Sequence, residues 1–189
     1  DNIINWEGEK AIQVVVEDVS DKVILEQELM HRALHDDLTQ VFNRSAIYDW
    51  LKKPLKEQTE MSCLLFDIDD FKKINDQFGH SVGDEVIRTL ANTIKKHVKA
   101  LNGVVGRWGG EEFIVLTLNR TPQQVMALAE NLRAAVSNLV IDTISNITVS
   151  IGIGYSHEAS SKEAVFKIAD EHLYIAKQSG RNTIHANHF

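Results

Sequence analysis

Arg107-Trp108-Gly109-Gly110-Glu111-Glu112-Phe113-Ile114-Val115-Leu116 is the stretch whose reading decides the fold. Two adjacent glycines stand between the β-prone runs Val104-Val105 and Phe113-Ile114-Val115-Leu116. Glycine takes backbone dihedrals closed to other residues, so the stretch reads as the tight turn of a β-hairpin. That turn carries two acids. By itself a glutamate pair at a hairpin tip is as consistent with a solvated turn as with a site.

A second acidic cluster lies upstream. Cys63-Leu64-Leu65-Phe66-Asp67-Ile68-Asp69-Asp70 is an apolar run of the kind that forms a buried central strand, and it ends in carboxylates. If the hairpin pairs beside this strand, Asp67 and Glu111 are expected to face each other, about 5 Å apart at Cβ for directly opposed positions. Carboxylates held that close repel unless a proton or cation lies between them. Hard oxygen ligands that share their ion with substrate phosphates are the usual Mg²⁺ arrangement, with Mn²⁺ as the alternative ion. Metal-assisted phosphoryl or nucleotidyl transfer is therefore the leading chemistry. Asp67, Glu111 and the Ile68 carbonyl are the expected ligands. Asp69 and Glu112 are weaker candidates, Glu112 because alternation along a strand points it away from Glu111; a cap or a solvated acid is the other reading of each.

Outward from these two strands the chain alternates. Residues 11–19 are β-branched and strand-like, and Ser20 or Asp21 caps a helix to about Leu34. That helix is either part of a dimerising coiled coil or packed on its own domain. His31 and His35 lie four apart, with nothing near them in sequence to complete a metal site. Asn43 caps a helix through Ala46, Ile47, Trp50 and Leu51, ended by Pro54 and a polar linker over 54–60. After the strand at 61–68 come a short helix over 71–78 and an amphipathic helix over 81–98. The hairpin of 103–118 follows. Thr121-Pro122-Gln123-Gln124 starts the next helix, a strand covers 147–154, a helix covers 161–178, and Asn182-Thr183-Ile184 adds a terminal strand. The order is β-α-β-β-α-β, an α+β fold of ferredoxin-like, palm-like type. Its central sheet is expected to be antiparallel, with both inserted helices on one face and the helices at 46–51 and 161–178 covering the other.

Composition narrows the class. The chain has 189 residues, enough for one domain of ordinary size and a short extension. Its net charge of −7 gives no general attraction to a nucleic-acid backbone, so no nucleic-acid partner is expected. The single cysteine, Cys63, sits within an apolar strand and reads as a buried thiol in a reducing compartment. No apolar run approaches the roughly 20 residues that cross a bilayer, so no membrane contact is expected of this stretch and the expected location is cytoplasmic. The chain opens on a strand-like segment without an initiator methionine, which suggests a piece of a longer protein whose other parts include a sensor or membrane domain.

A triphosphate needs donors and positive charge. The helix start at Asp70-Phe71-Lys72 offers free backbone N–H groups and Lys72 adds a charge. Lys177 and Arg181 lie four apart across the end of the last helix, although Lys177 also reads as a basic residue complementing the helix dipole. Asn75 and Asp84 border the glycine-containing connection between two helices; such side chains read a guanine edge, and capping explains them equally well.

These residues are also the ones by which the chain resembles the GGDEF-domain diguanylate cyclases. The signature stands here as Gly109-Gly110-Glu111-Glu112-Phe113, a GGEEF variant. Around it stand Asp37-Leu38-Thr39 with Asn43-Arg44, Phe66-Asp67-Ile68-Asp69-Asp70-Phe71-Lys72, Asn75-Asp76, Gly79-His80 and Gly83-Asp84. Thr148-Val149-Ser150-Ile151-Gly152, Ala169-Asp170, Leu173-Tyr174, Ala176-Lys177 and Gly180-Arg181-Asn182 complete the ordered set. The resemblance covers about 36–184 and implies a cyclase domain over 36–189.

In such cyclases two domains meet face to face, each holding one GTP, and form cyclic di-GMP with release of two pyrophosphates. The resemblance implies Asp67, the Ile68 carbonyl and Glu111 as Mg²⁺ ligands, with Glu111 also helping to deprotonate the attacking 3′-hydroxyl. It implies Asn75 and Asp84 as the guanine-reading pair, and Lys72, Lys177 and Arg181 as phosphate contacts beside Phe71. Gly109 and Gly110 leave room for the nucleotide, and Arg107 contacts product or the partner half-site. Aspartate at 84, where mixed cyclic GMP-AMP producers carry serine, argues for two guanines.

Two departures stand out. The family's product-inhibition pair, an arginine and an aspartate three apart, is replaced by Ala100 and Gly103, so tight feedback through that site is not expected. Gln40 stands where the early motif usually has glycine. At the front, Trp6-Glu7-Gly8 through Val14-Val15-Val16-Glu17-Asp18-Val19-Ser20-Asp21 resembles the last strand of a PAS sensor domain and its outgoing helix. That implies a PAS remnant over 1–19 and a signalling helix over 20–35. The competing reading is a catalytically idle domain that binds GTP or cyclic di-GMP as a regulatory module.

Overall fold

The computed structural model describes residues 2–6, 9–13, 18–53, 59–141, 144 and 146–187, the first two segments by backbone alone. The chain divides into two compact units, Asp1–Ala33 and Leu34–Phe189. In the first, β1 (Asn2–Trp6) and β2 (Glu9–Gln13) form an antiparallel hairpin in which Asn2 pairs with Gln13. The strand read at 11–19 thus begins earlier than its β-branched run, and residues 14–17 and Glu7-Gly8 lie outside the described residues. Helix α1 (Ser20–Leu34) takes in both expected caps. Instead the Asp18 carboxylate accepts the Ser20 N–H at 3.0 Å. The helix buries none of its residues.

The second unit is built on β3 (Met61–Ile68), buried along its whole length. Strands β5 (Glu112–Leu118) and β6 (Val149–Tyr155) flank it antiparallel, and β4 (Val104–Arg107) pairs outside β5. The terminal strand β7 (Ile184–His185) joins β6 in parallel, so the sheet, ordered β4-β5-β3-β6-β7, is mixed rather than wholly antiparallel. Period-two alternation sends Leu64, Phe66 and Ile68 to one face of β3, and Met61, Cys63 and Leu65 to the other. Helices α4 (His80–Val98) and α5 (Pro122–Ser137) cover the first face; α2 (Arg44–Lys52) and α6 (Lys162–Gln178) cover the second. This is the expected α+β fold with the expected division of helices.

Local chemistry sets the helix ends. Asn43 Oδ1 accepts the Ala46 N–H at 2.9 Å, and Thr121 and Gln124 form a reciprocal capping box. Pro54 lies outside the described residues, as does most of the linker that follows it. Against β6 the deciding feature is the glycine pair Gly152 and Gly154. A Cβ on Gly152 would overlap the Ala169 carbonyl and the Leu173 backbone, and one on Gly154 would overlap the Val165 carbonyl. Helix α6 therefore lies flush on the sheet, and its last turn reaches the end of β3.

Candidate active site

The site is assembled where β3 ends. Asp67 is the last acid of the strand and shares the Cys63 and Leu65 face, the one covered by α6. Lys177, on the last turn of α6, places Nζ 2.8 Å from Asp67 Oδ2. Asp67 is 8% exposed. Burial pushes its carboxyl above the usual range; Lys177 opposes that rise, and the charges of Glu111 and Glu112 add to it.

The hairpin corrects one expectation. Phe66 pairs with Phe113, so the residue directly opposite Asp67 is Glu112. Glu111 falls in the turn, before β5 begins, because the connection spans 108–111 rather than the glycines alone. Glu112 accordingly lies on the Asp67 face instead of pointing away. Neither Gly109 nor Gly110 takes a positive φ. Their value here is space: a Cβ on Gly109 would stand 2.8 Å from Glu112 Oε2, and Gly110 has nothing within 4 Å of that position.

Arg107 is committed within the chain. Its Nη1 donates to Asp36 Oδ1 and Oδ2 at 3.1 and 3.2 Å, and its Nε and Nη2 donate to the Gly110 carbonyl at 3.1 and 2.7 Å. It braces the turn. Burial works against ionisation of Asp36, but the Thr39 hydroxyl and the Arg107 guanidinium outweigh it and hold the carboxyl below its usual range. An acid paired with an arginine 71 positions away leaves no local signal in the sequence. Trp108 was also missed as an anchor: its ring packs on Tyr48 and Phe166 with centroids 4.9 and 4.5 Å apart, and Arg44 lies over it at 4.7 Å. Gln40, at φ 55, holds the left-handed conformation that suits glycine and donates its side-chain amide to the Asp37 carbonyl at 2.9 Å.

Beyond Asp67 the chain turns sharply. Asp70 takes φ 54 and leads into α3 (Phe71–Phe78), which opens with Phe71 buried and Lys72 exposed. Asp69 is neither solvated nor a cap. Its carboxylate is buried and accepts the Ser150 and Thr148 hydroxyls, each at 2.6 Å, and the Asn182 N–H at 2.9 Å. Arg181 Nε lies 3.8 Å from Asp70 Oδ1, which Lys73 approaches at 3.2 Å. Between α3 and α4, Asn75 lies against the backbone of Gly83, where any Cβ would overlap its Oδ1; Asp84 is the next residue. Asn75 and Asp84 are thus neighbours at one helix junction, not separate caps.

Acids and cations meet here in a pattern suited to an anionic ligand carrying a divalent ion. The donor set is hard oxygen, and the buried Asp67, with two glutamates nearby, is paired with the Lys177 cation. Among the described residues no three acids, histidines or cysteines converge into a ready-made metal cage. His35 stacks on Phe42, with ring centroids 4.9 Å apart.

The family model for the diguanylate cyclase GGDEF domain matches residues 33–183. The chain belongs to the GGDEF-domain diguanylate cyclase family. It is 40% identical over 183 residues to Diguanylate cyclase DgcM of Escherichia coli, covering 94% of this chain and 44% of that protein. The chain thus spans under half the length of that curated relative. Among solved structures, the coiled coil and GGDEF domain of DgcB from Caulobacter crescentus in complex with c-di-GMP is similar, with a TM-score of 0.82 and 30% identity, covering 89% of this chain and 93% of that one. An active GGEEF domain of a diguanylate cyclase from Vibrio cholerae gives a TM-score of 0.63 and 31% identity, over 84% of this chain and 97% of that one. The GGDEF fold accounts for the mixed sheet with its two helical layers.

Proposed function

We propose that this chain condenses two GTP molecules into cyclic di-GMP, releasing two pyrophosphates, in a homodimer whose copies each hold one nucleotide. The observation that carries this is the buried Asp67 at the end of β3, charge-paired to Lys177 and flanked by the Glu111-Glu112 turn. The family gives the reaction, and the similar Vibrio cholerae GGEEF domain, described as active, supports a glutamate at the third signature position.

Asn75 and Asp84 read the guanine, the carboxylate accepting from the base N–H donors and the amide pairing with its acceptors. Phe71 walls the same junction. Lys72, with the free N–H groups at the start of α3, Lys177 and Arg181 hold the phosphates, and Gly109 and Gly110 leave the hairpin open to them. Glu111 accepts the proton of the attacking 3′-hydroxyl. Asp67, the Ile68 carbonyl and Glu111 would hold Mg²⁺ or Mn²⁺, which neutralises phosphate charge when bound. Arg107 acts through the hairpin it braces. In the intact protein a PAS-like domain precedes α1, which sets how two cyclase domains at 36–189 meet, in the cytoplasm.

The test is GTP turnover with Mg²⁺. We expect cyclic di-GMP, at a rate per domain that rises with protein concentration because two copies build one reacting centre. Glu111→Gln should abolish turnover while a nonhydrolysable GTP analogue still binds. Analogue binding without turnover at any concentration would leave the idle, nucleotide-binding module as the reading, and Glu112→Gln acting like Glu111→Gln would move the base to the residue opposite Asp67.

A further inference from the structure

We infer that Asp69 is a positioning residue for nucleotide binding: it fixes the Gly180-Arg181-Asn182 turn so that the Arg181 guanidinium stands at the entrance to α3. This rests on the proposal that Arg181 holds phosphate. Both oxygens of Asp69 are engaged by donors within the chain, around the start of β6 and in the turn. Oδ1 accepts the Ser150 hydroxyl at 2.6 Å, and Oδ2 accepts the Thr148 hydroxyl at 2.6 Å and the Asn182 N–H at 2.9 Å. The Asp69 N–H in turn donates to the Thr148 carbonyl at 2.9 Å. The group is 8% exposed, and its two oxygens together accept three donors within 2.9 Å.

What it holds is a turn that does not hold itself. Arg181 and Asn182 take φ 65 and 45, consecutive left-handed conformations that non-glycine residues keep only where their surroundings fix them. The clamps are few. The Arg181 N–H reaches the Ala176 carbonyl at 3.3 Å, Thr183 is tied to the Ile151 N–H at 2.9 Å, and Arg133 donates to the Asn182 side chain at 2.8 Å. The bond from Asn182 N–H to Asp69 links the turn directly to the end of β3. One residue before that bond, Arg181 Nε lies 3.8 Å from Asp70 Oδ1 beside the first turn of α3. Slackening the turn lets a long, half-exposed side chain swing away from the phosphates. Three stretches far apart in sequence, 67–72, 148–152 and 180–182, are thereby one device, with Asp69 at its centre.

The test uses this chain and a nonhydrolysable GTP analogue with Mg²⁺, so that binding is read apart from dimer assembly. Asp69→Asn keeps the shape but puts an N–H donor where one of the two accepting oxygens stood, and should weaken the analogue about tenfold, appearing in KM and leaving kcat nearly unchanged. In an Arg181→Ala background the same change should do nothing further, because its effect runs through that arginine. Should Asp69→Asn fail to fold, Thr148→Ala and Ser150→Ala each remove one donor, and each should weaken the analogue about threefold. Folded variants that bind within twofold of the parent, or losses that multiply with Arg181→Ala, would overturn the assignment. A parent chain that binds no GTP analogue at all would instead sink the nucleotide-binding reading on which it stands.

Discussion

Replacing Lys177 with methionine removes the one cation held against Asp67 and keeps most of the side-chain length on α6. At 2.8 Å the attraction between unit charges is about 1.5 kcal/mol in water and about 6 kcal/mol at an effective dielectric near 20. The lysine side chain is 34% exposed and the aspartate 11%, which draws the value toward the lower bound, and we take about 2 kcal/mol for the loss at neutral pH. For a chain of this size that is a fall in Tm of roughly 4–8 °C. Its pH dependence carries the diagnosis. Asp67 has a folded-state pKa above its ordinary value, so ionising it opposes folding: its favourable contribution is present at acid pH and is lost as pH rises through the ordinary carboxylate range to the raised value. Without Lys177 the folded pKa climbs further, and the loss deepens. The stability gap between parent and Lys177→Met is therefore widest near neutral pH and closes as pH falls into the ordinary carboxylate range. Urea titrations in chelator at a series of pH values measure it, and Mg²⁺ should narrow it by supplying a cation to the same carboxylate. A gap that is absent at neutral pH, or unchanged across the series, would refute the assignment of the pair.

Asp67→Asn should leave the chain as stable as the parent or more stable, by thermal melting at neutral pH, while ending GTP turnover, because the ionised carboxylate is held against a cost of burial. Gly83→Ala should weaken guanine binding about tenfold with only modest loss of stability, read as analogue affinity against Tm, because its Cβ displaces the Asn75 side chain, the flexible partner in the overlap. Gly152→Ala should cost roughly 3 kcal/mol or more in chemical denaturation, since the atoms it meets belong to the backbone of α6 and cannot step aside. Micromolar cyclic di-GMP should not inhibit turnover; position 103 is also closed to an acid, a Cβ there standing 2.5 Å from Val98 Cγ1 and 3.1 Å from the Leu116 carbonyl.

Most of this architecture was legible because its signals are local. The capping box at Thr121, the Asn43 cap, the every-fourth apolar spacing from Val82 to Val98 and the unbroken apolar run of β3 each act within a few residues, and each gave its element to within two positions. What escaped depends on register or on distant partners. Reading Gly109-Gly110 as the whole turn put Glu111 opposite Asp67, whereas the turn takes four residues and shifts Glu112 there. The role of Asp36 is set by Arg107, that of Asp69 by strands and a turn roughly eighty to over a hundred positions on, and periodicity carries no trace of either. The parallel β7 was anticipated as a strand, but its direction follows from where α6 ends.

The candidate site follows from that last point more than from any motif. Asp67, at the end of a buried strand, is balanced by a cation, and that cation arrives on the far end of a 17-residue helix. How far along the sheet that helix reaches is decided by two glycines in β6, which bring its backbone into contact with the strand. A residue with a side chain at either glycine would lift α6, carry Lys177 off Asp67 and swing the turn bearing Arg181, so activity should fall together with stability at positions that touch no nucleotide. Partial rescue of turnover by excess Mg²⁺ would separate the loss of the Lys177 charge from the displacement of Arg181, which no added cation restores.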